Sequence, residues 1–206
     1  MRINVGVVSY GMGNLKSVAN ALEWVGGQVT VCEKPSQISD VDKIVLPGVG
    51  AFGDAIGELR RQGWSDALDE EVKRKGKPFL GICLGLQLLA DTSTEHGTHR
   101  GLGWIRGSVE RLNVDEQSLR VPHIGWNDVQ VCRSDGLFAD LGKQETFYFV
   151  HSYVLRCEDE TIVSGVCTHG SEFVASVEFD NICATQFHPE KSHKGGLKLL
   201  ENFIRS

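Results

Sequence analysis

Short apolar runs alternate with helical periodicities through the first half of the chain. Residues 3–9 form an apolar, β-rich run. Leu15, Val18, Ala19, Leu22 and Val25 then recur at the spacing of one helix face. Asn14 stands where an N-cap is expected, and Gly26-Gly27 stands where that helix should end. Residues 28–33 and 43–46 read as the second and third strands. A helical stretch opens after Pro47-Gly48-Val49-Gly50 and continues from Trp64 to Lys75. Gly76-Lys77-Pro78 resets the chain, 78–82 reads as a strand, and 84–91 as a helix. Strands separated by helices of this length imply βαβ units and an open, mostly parallel, doubly wound α/β sheet.

The second half is richer in strands, with extra antiparallel ones expected. Candidates are 103–111, 119–122, 127–132, 146–154, 161–167, 172–179 and 182–187, the last two joined by a hairpin turn at Asp180-Asn181. A final helix from Lys194 should bury Leu197, Leu200, Phe203 and Ile204. The polar stretch 92–101 reads as an exposed loop. With no internal repeat or linker, a single domain over 1–206 is expected.

Composition removes several classes. With 41% hydrophobic and 23% charged residues, the chain is not of the disordered type. A formal charge of −6 disfavours bulk attraction to nucleic acid or an anionic membrane. No apolar run approaches the roughly 20 residues of a bilayer-spanning helix, and the first ten residues lack a signal peptide's apolar core. Six cysteines without a C-x-x-C pair do not make a disulfide framework. Reduced thiols and a cytoplasmic location are expected.

One cysteine has a special setting. Gly81-Ile82-Cys83-Leu84-Gly85 follows an apolar strand and precedes a helix, as in a nucleophile elbow with Cys in place of Ser. The helix start would favour thiolate, and the Leu84 amide would face an oxyanion. The pentapeptide alone fits a buried structural Cys equally well. In Gln186-Phe187-His188-Pro189-Glu190, Pro189 favours an extended His188, and residues two apart on an extended segment share a side, so Glu190 can orient the imidazole. A thiol, a base and an orienting carboxylate make a nucleophilic triad. Gly48-Val49-Gly50 ends a strand with two conformationally free residues. It supplies a second oxyanion N–H or is a plain βα turn. Gly11-Met12-Gly13-Asn14 departs from a dinucleotide loop because position 16 is Lys.

Together, Pro47-Gly48-Val49-Gly50, the segment from Gly81 to Gln87 and the segment from Gln186 to Glu190 resemble the class I (triad) glutamine amidotransferases. Val121-Pro122-His123-Ile124-Gly125-Trp126-Asn127 and Tyr148-Phe149-Val150-His151-Ser152-Tyr153 are similar, within that family, to the glutaminase subunits of imidazole glycerol phosphate synthases. The resemblance covers the whole chain and implies a flavodoxin-like fold. It implies Cys83 as nucleophile on L-glutamine, His188 as the proton carrier and Glu190 as its orienter. Backbone amides of Leu84 and of Gly48, Val49 and Gly50 would form the oxyanion hole, and Gln87, Ser152 and Tyr153 would hold glutamine. It further implies a heterodimer in which ammonia passes to a separate (βα)₈-barrel cyclase subunit of histidine biosynthesis, with no cofactor or metal. Asn14, Trp126 and Lys191 are the expected partner contacts. The free subunit is expected to be a poor glutaminase, because the peptide at Gly48-Val49-Gly50 can turn a carbonyl rather than an amide inward. His123 and His151 read as structural or substrate-facing, and His96, His99, His169 and His193 as solvated. Two other functions fit these residues: a paralogous glutaminase feeding sugar amination in surface-polysaccharide synthesis, and an inactive adaptor.

Overall fold

A computed structural model of the chain describes residues 2–115, 117 and 119–206. The first half runs β1 (Asn4–Val8), α1 (Leu15–Trp24), β2 (Gln28–Cys32), β3 (Lys43–Gly48), α2 (Phe52–Arg61), α3 (Trp64–Leu68), β4 (Phe79–Cys83) and α4 (Leu84–Gln87). Next come β5 (Ala90–Ser93), β6 (His99–Arg100), β7 (Ile105–Arg111), β8 (His123–Val131), β9 (Gln144–His151) and β10 (Tyr153–Cys157). The chain then passes through β11 (Val163–His169), β12 (Ser171–Phe179), β13 (Ile182–Thr185) and α5 (His193–Arg205).

Among the described residues, nine strands form one sheet in the order β2-β1-β3-β4-β13-β12-β11-β8-β9. The strands β2, β1, β3, β4 and β13 are mutually parallel, and β12, β11, β8 and β9 extend the sheet antiparallel. Parallel strands covered on both faces need continuous apolar runs. Val7, Val8, Ile44, Val45, Leu46, Phe79 and Leu80 are accordingly fully buried. α1 and α5 cover one face, where Val18, Leu22, Leu199, Leu200 and Phe203 meet Val5, Val7, Val45 and Leu80. α2 and α3 cover the other with Phe52, Leu59, Trp64 and Leu68. Each such side chain contributes roughly 1.5–3 kcal/mol through burial. A second sheet, β10-β7-β5-β6, packs beside this layer.

Four expectations need correction. The helix expected over 84–91 stops at Gln87, and Ala90 enters β5. The carbonyls of Leu88, Leu89 and Ala90 are taken by the N–H groups of Leu102, Trp104 and Gly103, so tertiary pairing overrides helical spacing. Residues 119–122 form no strand. Pro122, in a cis peptide with Val121, has no N–H for a ladder, and β8 begins directly after it. The run 146–154 is two strands in different sheets, broken at Ser152. The polar stretch 92–101 is partly ordered as the β5–β6 pair. The Asp180-Asn181 hairpin forms as expected, with Asp180 at φ 48°.

Candidate active site

Cys83 ends β4 at φ 57° and ψ −107°, a conformation that costs a non-glycine residue roughly 1–3 kcal/mol. Close packing holds it there. A Cβ on Gly85 would lie 2.0 Å from the Leu46 carbonyl oxygen, and one on Gly81 would lie 2.9 Å from the Gly85 backbone. Only glycines on either side of Cys83 permit this turn. The nucleophile elbow read from the sequence is therefore present in geometry, and Leu84 takes the first helical position, where an N–H has no intrahelical acceptor.

Gly48 ends β3 in register with Cys83. Its missing side chain leaves room for the Tyr10 hydroxyl, which would otherwise lie 2.5 Å from a Cβ. That hydroxyl is buried without a hydrogen-bond partner, and burial, with Cys83 nearby, pushes the phenol's pKa up. Val49 is exposed, and Gly50 has φ 105° with Met12 against it. The loop from Gly11 to Asn14 thus packs on the Gly48-Val49-Gly50 segment. Asn14 caps α1, accepting from the Ser17 N–H at 3.3 Å.

His188 follows β13 and is held at its backbone: its N–H donates to the Tyr148 carbonyl at 2.9 Å, and its carbonyl accepts from the Ser192 hydroxyl at 2.6 Å. Nδ1 pairs with Glu190 Oε1 at 2.8 Å. Glu190 reaches it from a 3₁₀ turn, Pro189–Lys191, rather than from the extended segment expected. Nε2 has no hydrogen-bond partner. Burial opposes protonation of this ring, but the Cys83 and Glu190 side chains outweigh it and raise the pKa to about 9. The ring is therefore an imidazolium at neutral pH when Cys83 carries its negative charge.

A cavity of about 250 Å³ opens beside Cys83, lined also by Val49, Gly50, Leu84, Gln87, Ser152 and Tyr153. It is smaller than the roughly 300–1,000 Å³ pockets that hold drug-sized ligands, a size suited to one amino acid. Larger cavities of about 440, 420 and 380 Å³ lie elsewhere and do not contain Cys83. Glu95 also lines the site and caps α2 by accepting from the Phe52 N–H at 2.7 Å. Sequence reading missed Glu95, Tyr10 and Ser192. Each reaches the site by tertiary packing, and no local motif marks them.

Trp126 and Lys191 lie outside this cavity. Trp126 is 46% exposed and stacks on His193 at 4.7 Å, while Lys191 sits over the Tyr148 ring at 5.8 Å. His193 and His169 are not simply solvated: His169 stacks on His123 at 4.2 Å. His123 and His151 are buried and joined by a 3.0 Å bond from Nδ1 to Nε2. Burial lowers their pKa values to about 4 and about 3, so both rings are neutral at pH 7.

A family model described as glutamine amidotransferase class-I matches residues 7–206. The chain belongs to the class I glutamine amidotransferases. It is 50% identical over 200 residues to imidazole glycerol phosphate synthase subunit HisH of Aquifex aeolicus, covering 97% of this chain and 95% of that one. It is 44% identical over 201 residues to subunit HisH 1 of Campylobacter jejuni strain 81-176, covering 98% and 99%. Among solved structures, PurLQS of Thermotoga maritima matches with a TM-score of 0.77 at 22% identity over 100% of this chain and 99% of that one, a likeness of fold. The amidotransferase fold thus accounts for the doubly wound layer and for its antiparallel extension.

Proposed function

We infer that this amidotransferase is the glutaminase subunit of an imidazole glycerol phosphate synthase, with Cys83, His188 and Glu190 as its triad. The observation that carries the triad is the strained Cys83 at the elbow, close enough to His188 to raise the pKa of the ring, with Nδ1 of that ring held by Glu190. Glutamine enters the cavity with its ammonium towards the Glu95 carboxylate and its side-chain amide over Cys83. Gln87, Ser152 and Tyr153 shape the pocket around it. The thiolate attacks the amide carbon, and the developing oxyanion meets the Leu84 N–H and an amide of the Gly48-Val49-Gly50 segment. His188 gives its Nε2 proton to the leaving ammonia. It then takes a proton from water as that water attacks the glutamyl thioester, releasing glutamate and restoring the thiolate–imidazolium pair. Glu190 keeps the ring oriented through both transfers.

The names of the close relatives support the histidine pathway over sugar amination. The intact Cys83, His188 and Glu190 favour an active enzyme over an adaptor. The proposed cyclase-facing surface is the patch beside His188: Ile124 and Trp126 are 60% and 46% exposed on alternate positions of β8, with Lys191 and His193 at its edge. Asn14 lies on the loop against the oxyanion segment. Apolar side chains exposed in such a cluster, with Trp among them, are the composition of an interface hot spot. A cytoplasmic setting is supported by six unpaired cysteines. The test is co-purification with the barrel cyclase of the same organism, followed by assay of glutamine-dependent cyclase turnover. Failure to form a complex or to support turnover would remove the pathway assignment.

A further inference from the structure

We propose that Gln186 is a further catalytic residue, an N–H donor to the Cys83 sulfur, held in that orientation by Gln87, which is itself fixed on the Tyr153 carbonyl. The proposal rests on Cys83 being the nucleophile. Two hydrogen-bond paths converge on the Tyr153 carbonyl, one from the buried histidines and one from Gln87. Asn127 accepts from the Asp128 N–H at 2.8 Å through Oδ1 and donates to the Thr168 carbonyl at 2.9 Å through Nδ2, which settles its amide. Its other Nδ2 hydrogen faces His123 Nε2 at 3.2 Å. His123 therefore carries its hydrogen on Nδ1, which meets His151 Nε2 at 3.0 Å. His151 in turn carries its hydrogen on Nδ1 and donates to the Tyr153 carbonyl at 3.1 Å. The same carbonyl accepts from Gln87 Nε2 at 2.9 Å, and Gln87 gives its second hydrogen to Gln186 Oε1 at 3.0 Å. With its oxygen so engaged, Gln186 presents Nε2 to the Cys83 sulfur at 3.7 Å.

A donor aimed at sulfur favours the thiolate over the thiol. The thiol's alternative is a weak S–H contact to the Val150 carbonyl at 3.9 Å. Gln186 is fully buried, so this N–H is not shared with bulk water. The titratable groups around Cys83 are Tyr10 after β1, Glu95 after β5, His151 at the end of β9, and His188 with Glu190 after β13. A substitution at Gln186 leaves all of them in place. Gln87 also lines the cavity, so the residue that orients Gln186 is one that shapes the glutamine pocket.

The test is the rate of Cys83 alkylation by iodoacetamide between pH 6 and pH 10, read by peptide mass spectrometry on the full chain. Gln186→Met keeps the length and removes the donor. Its alkylation at pH 7 should be about tenfold slower than wild type, the equivalent of one pH unit, and the difference should close towards pH 10. A displaced or crowded sulfur would instead be slower at every pH. Under glutamine turnover, kcat should fall with KM little changed. Gln87→Met removes the donor that holds the Gln186 oxygen and frees that amide to turn, so it should shift the curve in the same direction by less. Thermal melts establish that each variant is folded, and Gln87→Met carries the test if Gln186→Met is not. Variant curves that superimpose on a reactive wild type overturn the donor role alone. A wild-type Cys83 no more reactive than the exposed Cys132 overturns the nucleophile reading and the proposal with it.

Discussion

At the scale of single residues, the site depends on charges placed against burial. His188 is protonated up to a pKa of about 9 despite its burial, so the alkaline limb of the kcat/KM profile should fall near pH 9, where the proton destined for ammonia is lost. Glu190→Gln should remain folded and lose up to about 10⁴ in rate, by analogy with removal of the orienting carboxylate in a serine triad. An unchanged glutaminase rate would make Glu190 a bystander. The neutral pair His123–His151 acts on stability instead. Their folded pKa values lie below the free value of 6.5, so their contribution is present above pH 6.5 and is lost as pH falls towards 4 and 3. His188 has the opposite sign: its raised pKa contributes fully below 6.5 and is lost as pH rises through about 9. Melting temperature should therefore peak near pH 6.5 and decline already between pH 6.5 and 5, above the range where most carboxylates titrate. A flat profile down to pH 5 would contradict the histidine assignment. Cys83, His188 and Glu190 were legible in the sequence because each sits in a short local motif. The histidine pair was not, since His123 and His151 meet only through the β8–β9 register.

At the scale of elements, the elbow and the oxyanion segment are made by absent side chains. Gly85→Ala would drive a methyl into the Leu46 carbonyl at 2.0 Å, so strand β3 and helix α4 must part. Destabilisation of roughly 1–3 kcal/mol or more is expected, together with loss of glutaminase activity. Gly50→Ala meets both a φ of 105° and the Met12 side chain at 2.8 Å, and should alter either the basal or the partner-stimulated rate. Steady-state assays on the subunit alone, with the cyclase, and with cyclase plus acceptor would show it. Equal rates in all three states of the wild type would remove the idea of a switched oxyanion peptide. Here the sequence was a partial guide. The parallel strands were legible as continuous apolar runs, because both their faces are covered. The helix beyond Gln87 was misread because Leu88–Ala90 are buried on every side, and burial of that kind does not distinguish a helix from a strand until residues 102–104 supply the competing hydrogen bonds.

At the scale of the whole molecule, the doubly wound layer brings three distant segments, ending at Gly50, Cys83 and His188, to one edge. The exposed Ile124 and Trp126 lie next to it. Trp126→Ala should weaken cyclase binding by more than 1 kcal/mol while leaving the fold intact, as hot-spot residues do, and titration calorimetry reads this directly. The motif order along the chain makes the proposed triad legible. The second sheet is not, because the break at Ser152 between β9 and β10 leaves no trace in hydropathy. One assay addresses the proposed role of Cys83 as the nucleophile that frees ammonia for the partner: cyclase turnover by the reconstituted complex carrying Cys83→Ala, fed either with glutamine or with an ammonium salt. Turnover should vanish with glutamine and persist with ammonium. Turnover with glutamine at a substantial fraction of the wild-type rate would contradict the assignment.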